Sequence, residues 1–415
     1  MKILGKYSLG MGDRFGHQGH AQLKAITEAA KNGVAITPVW NKSNREHMII
    51  GTQPQDVRKE ADAVTRAAGF REPYFVDADH INLDTVDRFI PSSDFFTIDL
   101  ASYIGKRADD SKIGSFLERA EKYADRLEIP GIRKAIRCSE DQLTGIAEKY
   151  LFAAGKAGEI YRIIEKSKGA GNFITEVSMD EVAAPQTPVE LFFILLMLGE
   201  EKVPVQTIAP KFSGRFNKGV DYVGDPAQFE LEFEEDLMVI SHAVREFRLP
   251  PELKISIHSG SDKFALYPLI GSILKKHDKG VHLKTAGTTW LEEMIGLAEA
   301  GGEALDFAKS VYIQAIEKID ELCAPYADVI DINKSLLPSA GEVRAWNSRK
   351  FAASLRHDQS NSDYNPNMRQ LIHVAYKLAA NEMDRFTKLL NKHEELVSRC
   401  VFDNMYSRHI KRIFL

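Results

Sequence analysis

Short apolar runs alternate with helical patterns along this chain, and each run ends in polar or glycine-rich residues. Runs of this length that end at turn-forming residues are typical of buried strands. Because a parallel connection between two strands needs a crossover, strands separated by helices predict a parallel sheet. Eight such units close more readily into a barrel than into an open sheet, so we predict an α/β fold, a (β/α)8 TIM-type barrel. The eight predicted strands lie within residues 6–16, 34–43, 74–80, 95–102, 172–181, 205–213, 254–260 and 281–287.

Two long stretches carry helical patterns without any strand pattern, and they set the predicted domain organisation. Residues 106–168 are too many for one crossover helix, so we expect a helical insertion after the fourth strand. Residues 291–415 carry Glu, Lys and Ala on one helical face and Leu, Ile and Phe on the other. We therefore expect a barrel over residues 1–290, with the insertion at about 106–168, and a helical C-terminal region over residues 291–415 that packs on the barrel.

The composition excludes several classes of protein. The 415 residues include 54 Lys and Arg and 59 Asp and Glu, so the formal net charge is −5. This charge does not predict a basic surface that would bind nucleic acid. The cysteines Cys138, Cys323 and Cys400 form no CxxC pair, which fits a reducing compartment. The sequence has no apolar run long enough for a membrane helix and no signal-peptide pattern. We expect a cytoplasmic enzyme with neither a membrane nor a nucleic acid as partner.

Three histidines stand at the ends of predicted strands: His80, His258 and His282. A parallel barrel brings the carboxyl ends of its strands together at one mouth, so we expect the three imidazoles to meet there. A single histidine at a strand end is more often structural than functional. Three imidazoles that leave a coordination position open form a catalytic metal site, and the combination favours a ligand role for all three.

Carboxylates lie beside these histidines in the sequence. Asp79 directly precedes His80, and both can reach the mouth because side-chain alternation relaxes at a strand end. We interpret Asp79 as a base or as the hydrogen-bond partner of a ligand; the alternative is an ordinary turn aspartate. The segment EVSMDE contributes Glu176 and Asp180, either of which is a fourth metal ligand or a general acid or base. The alternative there is the usual acidic start of a helix.

Several residues near the predicted mouth are candidates for contacts with an anionic substrate. Lys284 follows His282 by two residues, so both side chains point to the same face of their strand. The charge of a buried lysine needs a partner, and a substrate carboxylate would supply one. Arg369 and His373 are one helical turn apart and share a helical face. The full set of predicted substrate contacts is Asp13, Arg14, Lys211, Asp262, Lys263, Lys284, Arg369 and His373.

The same stretches resemble the tagaturonate/fructuronate epimerase family, bacterial enzymes of hexuronate catabolism that require a divalent metal. The matching strings follow one another in the order GDRFG, DADH, FFTID, EVSMDE, KGVDYVGDPAQFE, KISIHSGSDKF, HLKTAGT and MRQLIHVAY. The resemblance implies a divalent metal held by His80, His258 and His282, with an acid/base pair drawn from Asp79 and the carboxylates of EVSMDE. Three imidazoles and a carboxylate suit Zn, Mn, Fe, Co and Ni alike. The chain differs from the family in its short start before GDRFG and in residues 106–168.

The resemblance implies a metal-dependent epimerase that interconverts keto-hexuronates of the tagaturonate and fructuronate type. These two sugars differ at a carbon two bonds from the ketone carbon, and the carbonyl does not acidify that carbon directly. The remaining routes are retro-aldol cleavage with re-addition and enediol migration of the carbonyl; both build an enolate that a dication would stabilise. Two alternatives stay open: a metal-dependent aldolase or ketose isomerase for another acid sugar, and a non-catalytic protein that binds a sugar acid.

Overall fold

Eight parallel strands close into one barrel. The structure is a computed structural model, and it describes residues 2–124, 127–132, 137–285 and 287–415. Each strand pairs with the next one along the chain, and the eighth pairs with the first to close the sheet. Every run predicted as a strand coincides with one, so the predicted (β/α)8 barrel is confirmed. The strands are β1 (Tyr7–Gly12), β2 (Ile36–Ser43), β3 (Phe75–Ile81), β4 (Phe95–Asp99), β5 (Ile174–Ser178), β6 (Thr207–Ala209), β7 (Lys254–Ile257) and β8 (Val281–Thr285).

Helices form the outer layer and most of the second half of the chain. The α-helices are α1 (Gly19–Lys31), α2 (Asn44–Ile50), α3 (Pro54–Ala67), α4 (Val86–Phe89), α5 (Asp110–Ala120), α6 (Glu140–Lys168), α7 (Pro188–Glu200), α8 (Pro226–Phe247), α9 (Tyr267–His277), α10 (Thr288–Ala300), α11 (Gly302–Glu317), α12 (Ile319–Cys323), α13 (Ala340–Ala345), α14 (Ser348–Leu355), α15 (Pro366–Val374), α16 (Tyr376–Ala380), α17 (Met383–Lys392), α18 (Glu394–Phe402) and α19 (Lys411–Phe414). Short 3₁₀ helices lie at Glu121–Tyr123, Ala324–Val329 and Lys334–Leu336, and a π-helix lies at Asp403–Ile410.

The segment that the sequence marks as an insertion holds α5 and α6, between β4 and β5. Ser139 and Gln142 begin α6 with a capping box, in which each side chain bonds the backbone N–H of the other. The helix packs against α7 over the outside of the barrel, and α5 packs against α6. Helix α6 therefore covers the sheet as a crossover helix does, and α5 lies outside it. Within the described part of the chain, no helix combines the length and the apolar character needed to cross a bilayer.

The interior of the barrel is layered from apolar to charged. Val39, Phe75, Phe95 and Ile174 point inward and form an apolar floor together with Leu4. Because side chains alternate along a strand, the residues two positions further on point inward as well and lie one layer higher. In β3, β4 and β5 those residues are Asp77, Thr97 and Glu176, and all three are fully buried. In β3 and β5 the buried carboxylates therefore lie nearer the strand ends than the apolar floor.

The chain returns to the barrel at residues 403–414. The π-helix contacts α1, and α19 contacts α9, so this segment covers the seam between β8 and β1 from outside. The Tyr7 and Phe414 ring centroids are 4.8 Å apart. Helices α10 to α18 surround a second apolar core that includes Trp290, Phe307 and Phe386. The second core lies beside the barrel core, and the loops of both meet at the barrel mouth.

Candidate active site

A cavity of about 880 Å³ opens at the carboxyl-terminal ends of the strands. The loops after the strands form most of its wall, and the 3₁₀ helix Ala324–Val329 from the helical region closes one side. Active sites of parallel barrels are found at this end. The residues predicted from the sequence that line the cavity are Arg14, Asp79, His80, Asp180, Lys211, His258 and Lys284.

Two of the predicted histidines meet one carboxylate at the cavity wall. His80 Nε2 lies 3.3 Å from Asp180 Oδ1, and His258 Nδ1 lies 3.1 Å from the same oxygen. The centroids of the two imidazole rings are 5.0 Å apart. One donor atom from each of the three residues lies within 4.8 Å of the other two. We call His80, Asp180 and His258 the triad.

A bulge in β3 brings two adjacent side chains into this site. The register between β3 and β4 shifts between Ala78 and Ile81, and His80 has a left-handed φ of 54°. For a residue with a side chain this conformation costs about 1–3 kcal/mol. Neighbours along a regular strand point to opposite faces, but the bulge lets both Asp79 and His80 line the cavity. Asp79 Oδ1 then pairs with His80 Nδ1 at 2.7 Å, which leaves Nε2 toward Asp180.

Lys284 holds a set of buried carboxylates next to the triad. Its Nζ lies 2.8 Å from carboxylate oxygens of Asp77 and Asp79 and 3.1 Å from Glu176 Oε1. Glu176 Oε1 also lies 2.8 Å from His258 Nε2 and so connects the lysine to the triad. On the neighbouring strand, Gly10 leaves room for the lysine, since a Cβ there would lie 3.1 Å from Lys284 Cα. We call Lys284, Asp77, Asp79 and Glu176 the Lys284 cluster.

Burial and ion pairing fix the charges in the Lys284 cluster. Burial alone would lower the pKa of Lys284, but the three carboxylates raise it well above its ordinary value. Burial also opposes ionisation of Asp79 and Glu176, but Lys284 and the adjacent imidazoles hold the pKa of both carboxyls well below the usual range. Asp77 differs, because burial raises its pKa to about 7. The cluster therefore contains one ammonium, two carboxylates and one carboxyl group that titrates near neutral pH.

His282, the third predicted metal ligand, lies one layer deeper in the barrel. Its Nδ1 is 2.8 Å from Ser8 Oγ, and its ring packs against Phe95 with the centroids 5.3 Å apart. Burial lowers the pKa of His282 to about 3, so its ring is neutral. Two residues along a strand correspond to about 6.6 Å of depth, so sharing a face with Lys284 does not bring His282 to the mouth. The structure therefore brings Asp180, and not His282, together with the other two histidines.

Three predicted substrate contacts come from the first and sixth strand ends. Arg14 lines the cavity, pairs with Glu46 at 3.0 Å and lies 3.9 Å from the centroid of the Tyr376 ring. Lys211 lines the cavity with its Nζ 3.4 Å from the backbone oxygen of Asp180. Asp13 does not line the cavity. Its carboxylate accepts the backbone N–H groups of residues 15–18 and holds the turn that leads into α1.

The remaining predicted contacts do not line the cavity either: Asp262, Lys263, Arg369 and His373. Arg369 is fully buried, pairs with Asp262 and lies 3.7 Å from Glu292 Oε1. We call these three residues the Arg369 cluster. A buried charge needs a partner, and here the protein itself supplies the partner. His373 is also fully buried, and its backbone oxygen accepts a hydrogen bond from the Arg14 guanidinium.

Lys263 is buried among backbone carbonyls. Its Nζ donates to the oxygens of Asn217, Val220 and Ser261, at 2.8–2.9 Å. Two of these carbonyls belong to the loop that follows β6, where Arg369 Nε donates to the oxygen of Gly219. Lys263 and Arg369 therefore hold that loop against the barrel.

The sequence reasoning missed cavity residues that lie in loops between predicted elements. Lys218 and Tyr326 line the cavity and were not singled out. A signal existed for Lys218, because it is the first residue of the string KGVDYVGDPAQFE. Tyr326 lies in the helical region, and no pattern in the sequence connects it to the barrel mouth.

The chemistry of the triad fits a divalent transition metal. Two imidazole nitrogens and a carboxylate oxygen form a donor set that Mn, Fe, Co, Ni and Zn accept. The His80 and Asp180 side chains are 21% and 20% exposed to the cavity, so a ligand in the cavity could reach an ion held between them. The carboxylates of Asp79 and Glu176 contact the two imidazoles and orient their rings.

The sequence matches the family model of tagaturonate epimerase over residues 2–413. A tagaturonate/fructuronate epimerase from Thermotoga maritima is 28% identical over 420 residues, which cover 98% of this chain and 79% of that protein. A glycerol-bound crystal structure of the fructuronate-tagaturonate epimerase UxaE from Cohnella laeviribosi has the same fold. It matches with a TM-score of 0.82 at 24% identity and covers 99% of this chain and 82% of that one. The structure of that protein with two glycerol molecules gives a TM-score of 0.81 at 24% identity. The match covers 100% of this chain and 82% of that one.

Proposed function

This chain belongs to the tagaturonate epimerase family, and we propose that it interconverts tagaturonate and fructuronate in the cavity at the barrel mouth. The observation that carries the proposal is the triad, which lies beside the Lys284 cluster in the wall of a cavity of about 880 Å³. Small-molecule sites commonly have volumes of about 300–1,000 Å³, so a six-carbon sugar acid fits. The expected cytoplasmic location stays a prediction from the sequence.

His80, Asp180 and His258 are the residues that would hold a divalent metal ion. When bound, the ion would act as a Lewis acid toward the oxygen atoms of the sugar. His282 has no part in this proposal, because its buried ring contacts Ser8 and Phe95 below the mouth. Asp180 replaces it as the third ligand.

Asp79 is the proposed proton carrier, because it is the one carboxylate of the Lys284 cluster that lines the cavity. Lys284 and His80 keep it ionised, so it can accept a proton. In a retro-aldol route the proton leaves the hydroxyl of the epimerised carbon as the bond to the neighbouring carbon breaks. In an enediol route it leaves a carbon next to the carbonyl. Glu176 contacts Lys284 and His258 from behind and orients both side chains.

Product analysis with the expected substrate tests this function. The purified protein would be treated with a chelator, reloaded separately with Mn²⁺, Zn²⁺ or Ni²⁺, and incubated with tagaturonate. We expect fructuronate to form with at least one of these metals and not in the chelated protein. When the reaction starts from fructuronate, it should form tagaturonate and reach the same equilibrium mixture of the two sugars.

The alternative functions give different products in the same experiment. Shorter fragments as the final products would identify an aldolase, and a different ketose or aldose acid would identify an isomerase. Unchanged tagaturonate that still binds would identify a sugar-acid-binding protein. Any of these three results would contradict the proposed epimerisation.

A further inference from the structure

Cationic side chains line the cavity, and only some of them pair with a carboxylate of the protein. The set is Arg14, Arg45, Lys211, Arg215, Lys218 and Lys284. Arg14 pairs with Glu46, Arg215 pairs with Asp331, and Lys284 pairs with its own cluster. Among the residues that the structure describes, Lys211, Lys218 and Arg45 have no carboxylate within 4.0 Å. A cation without a carboxylate partner at a cavity wall is available to an anionic ligand.

Two of these three cations lie next to the triad. Lys218 Nζ is 3.3 Å from Ser259 Oγ, and Ser259 directly follows His258. Lys211 Nζ is 3.4 Å from the backbone oxygen of Asp180. Both lysines follow β6 in the sequence, between the strands that supply Asp180 and His258. Arg45 is exposed, and its guanidinium lies 5.5 Å from the centroid of the Tyr326 ring at the rim.

The backbone around Lys218 is held in place on several sides. The Lys218 N–H donates to the oxygen of Val329 at 2.8 Å. Lys263 Nζ bonds the carbonyls of Asn217 and Val220, and Arg369 bonds the carbonyl of Gly219 between them. Gly219 has a left-handed φ of 77°, a conformation that glycine adopts without strain. Ordering this loop in the free protein lowers the entropy that binding has to remove.

We infer that Lys218, together with Lys211, binds the carboxylate of the substrate and sets the preference for sugar acids over neutral ketoses. This inference rests on the proposed function, in which the triad and Asp79 act at the epimerised carbon. In a six-carbon ketouronate that carbon is two bonds from the ketone carbon and two bonds from the carboxylate carbon. The carboxylate must therefore lie close to the triad, where the two lysines are.

Calorimetric titration of the metal-loaded protein tests the inference without relying on turnover. The wild type and Lys218→Met would each be titrated with tagaturonate and with the neutral ketose in which a hydroxymethyl group replaces the carboxylate. A charge-assisted hydrogen bond contributes about 1.5–3 kcal/mol, so we expect Lys218→Met to weaken uronate binding about 10- to 100-fold. Binding of the neutral ketose should change less than about threefold. Lys211→Met should show the same selectivity with a smaller loss.

Two control variants separate charge from structure. Lys218→Arg keeps the charge and should retain most of the uronate affinity, and Lys377→Met removes a cation that does not line the cavity and should leave both affinities unchanged. Equal loss for both ligands in Lys218→Met, or no loss, would overturn the inference. So would a wild type that binds the uronate no more tightly than the ketose. A protein that prefers the uronate through Lys218 but produces no fructuronate would refute the proposed function and leave the inference supported.

Discussion

The Lys284 cluster and the Arg369 cluster are two buried charge groups of similar composition in different surroundings. In each, one fully or almost fully buried cation faces more than one carboxylate. Lys284 lies at the cavity, and its partner Asp79 also lines the cavity wall. Arg369 is sealed between the barrel and the helical region. The same kind of ion pair can therefore lie within reach of a ligand in one place and contact only other protein groups in the other.

The two cations suit these roles through their shapes. The lysine ammonium is a compact charge, and here it bridges carboxylates from two different strands. The arginine guanidinium has five donors in a rigid plane, and Arg369 uses them on Asp262 and on the backbone oxygens of Gly219 and Leu355. Arg369 thus connects three separate segments. The comparison predicts that changes in the Arg369 cluster affect stability first, and that changes near Lys284 affect turnover first.

Arg369→Met should have the largest effect, and the effect should be on stability. Removing one partner of a buried ion pair leaves an uncompensated charge, so we expect the free energy of unfolding to fall by about 3–5 kcal/mol. Urea denaturation measures this loss. Lys377→Met is the matched control, because Lys377 pairs with Glu321 while about half exposed, and it should cost less than about 1 kcal/mol. A loss below about 1 kcal/mol in Arg369→Met would show that the sealed cluster does not stabilise the fold.

His258→Ala should remove metal and activity together. A divalent ion supplies several kcal/mol of charge stabilisation, so kcat should fall about 100- to 1,000-fold. Metal analysis of the purified variant and circular dichroism establish that metal is lost while the fold is kept. The exposed histidine His20 provides the control, because His20→Ala should keep both metal and activity. Full metal occupancy in His258→Ala would exclude His258 from the site.

Lys284→Met should lower kcat about 100-fold, for a uronate and for the matching neutral ketose alike. The reason is that the ammonium contacts carboxylates of the protein, including the proposed proton carrier Asp79. The loss of stability should be smaller than in Arg369→Met, because Asp79 faces the cavity and retains His80 as a partner, and Glu176 retains His258. A selective rise in KM for the uronate would instead assign substrate-carboxylate binding to Lys284 and would contradict the role given to Lys218.

The smallest expected effect is on the pH dependence of the free energy of unfolding, through His409 beside the Arg369 cluster. His409 Nε2 accepts the backbone N–H of Asp262 at 2.9 Å, and its Nδ1 lies 2.8 Å from the backbone oxygen of Asn404. This ring is therefore neutral, and burial lowers the pKa of His409 from 6.5 to about 4. The unfolded chain takes up a proton as the pH falls below 6.5, and the folded protein does not until about pH 4.

Stability that depends on neutral His409 is thus present above pH 6.5 and declines on acidification. The linkage relation gives a loss of about 1 kcal/mol between pH 7.5 and pH 5.5. His409→Gln, which keeps one donor and one acceptor, should remove this part of the pH dependence. Denaturant titrations of both proteins at the two pH values measure it. An unchanged pH slope in the variant would assign the acid sensitivity to other groups.

The sequence predicted the barrel well because its strands and strand ends obey simple periodicities. Each of the eight runs became a strand, and the rule that parallel strand ends meet placed His80 and His258 together. The same rule did not predict how deep in the barrel each inward-pointing side chain lies. His282 and Lys284 share a face, but only Lys284 reaches the cavity, because a barrel stacks its inward residues in layers.

The sequence could not distinguish ligand contacts from internal ones among the charged residues. Lys263 lies just beyond His258 in the sequence and Arg369 lies one helical turn from His373, positions that favour substrate contacts, but their partners are backbone carbonyls and Asp262. Asn217 and Val220 lie at least 43 residues from Lys263, Gly219 lies 150 residues from Arg369, and pairing over such distances depends on the tertiary fold. The left-handed φ of His80 was equally beyond sequence reasoning, since it is uncommon in residues other than glycine.

The segment at residues 403–414 has a consequence for how the protein folds. It covers the β8–β1 seam and contacts Tyr7, so a ring contact joins residues about 400 positions apart. Contacts of such long range form late, because closing a long loop costs entropy before the contact repays it. During synthesis the seam between the first and last strands stays uncovered until this segment has left the ribosome. A chaperone that recognises exposed apolar strands would find its binding site there, on a barrel that is otherwise complete.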